Sequence, residues 1–231
     1  MKETNIKNAE RALTITTVLT LFVAGFEALM AYLNYKPGMN ILDIASYANA
    51  NIRIYCLILI LVNLILLPGA VMLFKQNGIS LKNEIFEKKT LGKDILYGIA
   101  ALAVTELFSL AYVFILSGQT ELAHTNTDIS VETTIIKIIA LTFVSSICKE
   151  IYFRGFAKKF CGPVLGETQA LLLFNIMFAM LDWYNMGFSF VAGLVWIFAY
   201  KKTGHLLPSM IAHGGANLIA AIYVIIMNGV V

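Results

Sequence analysis

The feature that most restricts this chain is the recurrence of apolar runs about 20 residues long, each nearly free of charge. "IYCLILILVNLILLPGAVMLF", residues 54–74, is one of them. As a helix such a run covers roughly 30 Å, the thickness of a bilayer's hydrocarbon core. Lipid offers backbone groups no partners, so a spanning segment must satisfy them internally, and helices do this. Only 13% of the 231 residues are charged, about half the share usual in soluble domains. Mean hydropathy is +0.78. These properties predict an all-α, polytopic transmembrane helical bundle. Seven spans can be placed, at about 12–33, 54–74, 95–116, 133–153, 168–182, 187–200 and 206–228.

The basic residues test that arrangement. Lys2, Lys7 and Arg11 precede the first span, and Lys75, Lys82, Lys88, Lys89 and Lys93 surround the second-to-third connection. Arg154, Lys158 and Lys159 follow the fourth span, and Lys201 and Lys202 follow the sixth. Thirteen of the 17 Lys and Arg residues thereby fall on one side. The opposite loops hold Lys36 and Arg53, with Glu121, Asp128 and Glu132. The positive-inside rule then predicts an integral membrane protein of a cell membrane, bacterial by expectation, with a cytoplasmic N-terminus. The N-terminal apolar stretch runs on to about Leu33, too long for a signal-peptide core, and is expected to remain as the first span. Cys56, Cys148 and Cys161 have no metal-like or paired spacing and are expected to be buried apolar side chains. The basic residues follow topology, so no nucleic-acid partner is expected.

Charge inside the spans is costly and marks function or helix pairing. In "SSICKEIYFRGF", Glu150 and Arg154 are four residues apart and share a helix face. His213 and Asn217 repeat that spacing in "HGGAN", and Phe178 and Asp182 repeat it in "FAMLD". Three such stacks, on three helices, would meet in one buried polar chamber. By spacing alone, that chamber suits a protease, a transporter or a structural polar cluster equally.

"KEIYFRG", "FAMLD" and "HGGAN", in this order, resemble the intramembrane endopeptidases of the CPBP family. That family includes type II CAAX prenyl proteases, bacteriocin-processing enzymes and abortive-infection proteins. Its pattern is Glu-Glu-x-x-x-Arg, then Phe-x-x-x-His, then His-x-x-x-Asn. The resemblance covers about 135–225. It implies a single membrane domain over 1–231 with a CAAX-protease-like core at 135–225, and 1–116 supplying three less specific spans. It also implies membrane lipids and a membrane-associated peptide or protein as partners. In catalytic terms it implies Glu150, Arg154, Asp182, His213 and Asn217 as site residues. A divalent metal such as zinc is a further possibility, its implied ligands being Glu150, Asp182 and His213. In the family the first Glu and the middle His position and activate the attacking water, and the final His and Asn help stabilise the oxyanion.

Two positions depart from this pattern. Lys149 stands where the first Glu belongs, and Asp182 stands where the middle His belongs. A protonated lysine is neither a general base nor a metal ligand. The sequence therefore predicts a degenerate or weakened peptidase. A pseudoprotease serving in bacteriocin immunity, regulation or scaffolding is the alternative, and a small transporter a more distant one. The exchanged charges suggest a Lys149–Asp182 ion pair. Glu27 and Glu106 lie mid-span, where they could meet Lys137, reach the chamber or serve as structural hydrogen-bonding groups. His205 is expected at the membrane interface, and Trp183, Tyr184 and Trp196 in interface belts or packing.

Overall fold

The computed structural model of the chain describes residues 2–33, 37, 52–117, 131–185 and 187–227. Among them every regular element is helical: α1 (Lys2–Leu33), α2 (Ile52–Gln76), α3 (Leu81–Ile85) and α4 (Leu91–Ser117) lead. A continuous helical stretch, α5 (131–165), follows, then α6 (Glu167–Ala179), α7 (Phe188–Thr203) and α8 (Leu207–Met227). Lys36, Glu121 and Asp128 lie outside the described residues, as do the side chains of Trp183 and Tyr184.

Among the described residues three helices are long and apolar enough to cross a membrane by themselves: Glu3–Met30, Arg53–Gln76 and Leu91–Tyr112. Their outward faces carry large exposed side chains such as Leu21, Leu61 and Leu107. That inside-out polarity is what lipid contact demands. Pro68 lies inside α2, and the helix continues through it to Gln76.

The fourth predicted span, 133–153, falls short of the observed helix. The helical stretch runs through Gly155, Gly162 and Pro163 and ends at Gly166, whose φ of 89° is left-handed. Within α5 the hydrogen bonding widens to π-helix at Ile138–Ser145, Ile151–Gly155 and Ala157–Cys161. Such widenings are commonest at functional positions, and these flank Lys149 and Glu150. The fifth predicted span is shorter than expected. α6 has 13 residues, about 20 Å of helix, and is prolonged by a 3-10 turn at Met180–Asn185.

One end of the bundle gathers the basic loops. Lys159 pairs with Glu84 at 2.7 Å, and the Glu84 backbone carbonyl accepts from Leu206 N at 2.9 Å. The Tyr200 hydroxyl also donates to Glu84. His205 meets Asp94 at 3.0 Å, with Thr90 donating to the same carboxylate at 3.2 Å. Lys201 donates to Thr168 at 3.2 Å, and Arg11 to Gln76 at 3.3 Å. Segments assigned by charge to one side are thus held to one another. Arg53 and Glu132, placed on the other side, pair at 2.7 Å.

The helices that carry the polar stacks approach closely through small residues, the usual solution where lipid is as apolar as leucine. A Cβ on Gly214 would lie 2.8 Å from the Thr142 carbonyl of α5, and one on Gly215 2.7 Å from Leu102 of α4. The two glycines of "HGGAN" therefore set α8 against both neighbours. The buried Cys56, Cys148 and Cys161 are free thiols, in agreement with the sequence.

Candidate functional site

Glu150 lies in the middle of α5 with no exposed surface. Its Oε1 is 3.3 Å from Arg154 Nη1, one turn on, and 2.8 Å from His213 Nδ1 on α8. Arg154 Nη2 donates to Asn175 Oδ1 at 3.2 Å, and Asn175 Nδ2 donates to the Phe190 carbonyl at 2.9 Å. The guanidinium lies 4.3 Å from the Phe178 ring centroid and 5.4 Å from that of Trp196. A fully buried Arg is tolerable only with this kind of pairing. Gly193 makes room for it: a Cβ there would overlap Asn175 Oδ1 and come within 2.8 Å of Arg154 Nη2.

His213 is stacked on Trp196, centroids 4.4 Å apart, with Phe178 edge-on at 5.5 Å. Trp196 is fixed in turn by Nε1 donating to Thr105 Oγ1 at 3.0 Å. Asn217 Nδ2 donates to the Leu141 carbonyl at 3.0 Å and to Ser146 Oγ at 3.1 Å. Both hydrogens of its amide are therefore engaged with α5.

The three stacks do meet, as the i, i+4 spacing predicts. A cavity of about 590 Å³ opens beside them, between α4, α7, α8 and the turn after α6. Asp182, His213, Asn217 and Glu106 line it; neither Glu150 nor Lys149 does. Asp182 accepts from Ser189 Oγ at 2.9 Å.

The predicted Lys149–Asp182 ion pair does not form. Phe178 stands at the level of Lys149, its ring 5.9 Å from Nζ, and Asp182 lies one turn beyond it. Lys149 is buried and makes no hydrogen bond or ion pair among the described residues. The acid that faces it comes from α1. Glu27 is 6% exposed, and Asp182 and Lys149 are the charged groups that act on it, with the Tyr55 hydroxyl alongside. Neither Glu27 oxygen has a hydrogen bond of ordinary geometry. Glu27 thus reaches the chamber rather than serving as a satisfied structural group. Lys137 meets neither Glu27 nor Glu106 and faces Cys56 instead. His205 is held by Asp94 and Thr90 at the basic end, a tie between α4 and the α7–α8 turn.

The implied metal set does not suit an ion. Glu150 and His213 are bonded to one another, Asp182 is turned to Ser189, and no three metal-ligating side chains converge among the described residues. A cation-binding centre needs several lone pairs aimed at one point.

Some participants escaped the sequence reading although their spacing was legible. Ser146 sits four residues before Glu150, and Ser209 four before His213, where it lies beside Glu150. Both stacks therefore run i, i+4, i+8. Asn175, seven residues before Asp182, is the partner of Arg154.

Residues 131–219 match the family model described as Type II CAAX prenyl endopeptidase Rce1-like. The match takes in every polar stack described above and supports the CAAX-protease family for this part of the chain. Together with the long apolar helices it supports an integral membrane protein whose residues 131–219 are CAAX-protease-like. No curated protein and no solved structure matches it.

Proposed function

We propose that this chain is a degenerate CAAX-protease-like scaffold that holds a membrane-associated peptide or protein segment without cleaving it efficiently. One observation carries the reading: the acid left in the motif, Glu150, is enclosed, bound to Arg154 and His213, and absent from the cavity wall. A general base must reach the water it deprotonates. The position before it, which should supply the reaching acid, is Lys149. Asn217 adds to this, because its donors are spent on α5 and an oxyanion needs donors aimed at it. In this reading the residues 1–231 act as one membrane domain, with the site in 135–225 and the N-terminus in the cytoplasm of a bacterial cell.

Weak hydrolysis is the second reading. It is favoured by Asp182 and His213, a carboxylate and an imidazole on one cavity wall. Peptide N-termini mapped in membranes from wild-type, deletion and Asp182→Asn strains separate the two. A holding role predicts the same N-termini in all three. Specific termini lost from both the deletion and the variant would establish hydrolysis and overturn the proposal. Lys149→Glu, which restores the family's residue, is expected to generate no new termini, since Asn217 stays engaged.

A further inference from the structure

The charges that the motif does not use are unbalanced. Asp182 and Glu106 are two carboxyl groups on the cavity wall, and behind Asp182 lie the carboxyl group of Glu27 and the ammonium of Lys149. Glu150 and Arg154 balance one another and leave nothing over. Lys149 forms no ion pair and is not part of the cavity wall. Glu106, well along α4, makes no hydrogen bond or ion pair among the described residues, yet lines the cavity with Asp182. Asp182 faces two ways: into the cavity, and toward Glu27, a buried residue whose carboxyl oxygens have no well-formed hydrogen bond. A carboxyl group in a medium of low dielectric takes up a proton or a cation, and Asp182 and Glu106, on the cavity wall, are the two that a cation in the cavity can reach.

The remaining walls say which cation. They are mostly apolar, and the rim residues Leu110, Ile219 and Tyr223 are exposed on the outward faces of α4 and α8. The opening therefore looks sideways, where lipid lies. A divalent ion would need its ligands to converge, and among the described residues none do. At about 590 Å³ the cavity lies in the range of organic ligands.

From this geometry we propose that the chamber receives a membrane-embedded peptide segment bearing one basic side chain, its ammonium or guanidinium seated between Glu106 and Asp182. The inference rests on the holding role proposed above and names the chemistry of what is held. A basic residue in a lipid-buried helix is expensive alone and finds an acidic partner when it can. Apolar flanks would occupy the rest of the cavity and leave past the exposed rim residues Leu110, Ile219 and Tyr223.

The test uses the full chain in lipid nanodiscs and three labelled Leu/Ala-rich peptides of about 20 residues. They differ at one central position: Lys, Gln or Glu. Binding is read by fluorescence transfer. The Lys peptide is expected to bind at least about tenfold more tightly than the Gln peptide, and the Glu peptide most weakly. The double variant Glu106→Gln/Asp182→Asn, nearly isosteric, should erase the Lys preference while the Gln peptide binds as before. Ala220→Phe, which narrows the cavity, should weaken all three. Equal binding of Lys and Gln peptides that Ala220→Phe still weakens would overturn the cation preference and leave the holding role standing. A Lys preference that survives the double variant would also overturn it. Absence of binding by any peptide would overturn both readings, and preference for a lipid amine added as competitor over the Lys peptide would replace the peptide as occupant.

Discussion

The two halves of the chamber are built on opposite principles. On the α5–α8 side, Glu150, Arg154, His213 and Asn217 are bonded to one another or to α5, and Asn175, Ser146 and Trp196 complete the set. On the α1–α4 side, Glu27, Lys149 and Glu106 have no hydrogen bond or ion pair of ordinary geometry among the described residues. The first half keeps the family's residues and the second departs from them. Retained motif residues would ordinarily be read as the working ones. Here they have become the frame: Glu150 and Arg154 are turned to each other and to protein, and Asn217 spends its donors on α5, while His213 keeps a side on the cavity. The carboxyl groups on the cavity wall, Glu106 and Asp182, are ones the family pattern does not contain.

The comparison breaks most severely if the frame can be dismantled without loss. Arg154→Leu leaves Glu150 buried without its cation, and such losses cost about 3–5 kcal/mol. Thermal unfolding in detergent should show a large fall in midpoint, or the variant should fail to accumulate. Replacing Glu106 with Gln should leave the midpoint close to wild type. Equal tolerance of both changes would erase the distinction between the halves. Gly193→Ala comes next. Its methyl group would overlap Asn175 Oδ1, and overpacking of this kind costs about 1–3 kcal/mol. Asn175→Ala should partly rescue it by removing the obstructing atom, and no rescue would show that the strain lies elsewhere.

These residues also show what the sequence could and could not reveal. Apolar runs of span length are dictated by lipid, so the all-helical bundle was legible, and the i, i+4 stacks were legible because the helix fixes which residues share a face. The length of α5 was not, since Gly162 and Pro163 read as an end, whereas the helical stretch passes through them to Gly166. Glu27 was not legible either. A single acid on α1 carries no spacing signal, and its approach to Lys149 depends on how α1 packs against a helix more than a hundred residues away. The Lys149–Asp182 pair failed for a geometric reason: exchanged charges at two motif positions say nothing of the intervening turn, which puts Phe178, not Asp182, beside the ammonium.

A smaller effect sharpens the role of Asn217. Asn217→Leu removes two donors from α5, yet Ser146 Oγ still donates to the Leu141 carbonyl. Hydrogen bonds between membrane helices average about 0.6 kcal/mol, with a maximum near 1.7, so a modest loss of stability is expected. Any residual peptide cleavage should stay unchanged. A fall of about 100-fold or more in cleavage would instead mark an oxyanion donor, and would return Asn217 to the working half.

The smallest change is expected at the residue that departs most plainly from the family. Lys149→Met removes a buried ammonium that has no hydrogen bond or ion pair to lose. Replacing buried charge by an apolar side chain of similar size is often neutral or stabilising, but the substitution also takes away the cation that acts on Glu27. These effects oppose one another, so stability should move by less than about 1 kcal/mol. Lys149→Glu has no such compensation, because it sets another carboxylate among those of Glu27 and Asp182, and it should unfold at a clearly lower temperature than Lys149→Met. The order of the two midpoints is the sharp measurement. If Lys149→Glu were the more stable, Glu27 would not face this position as it does here, and the α1 side of the chamber would lose the acid that distinguishes it from the frame.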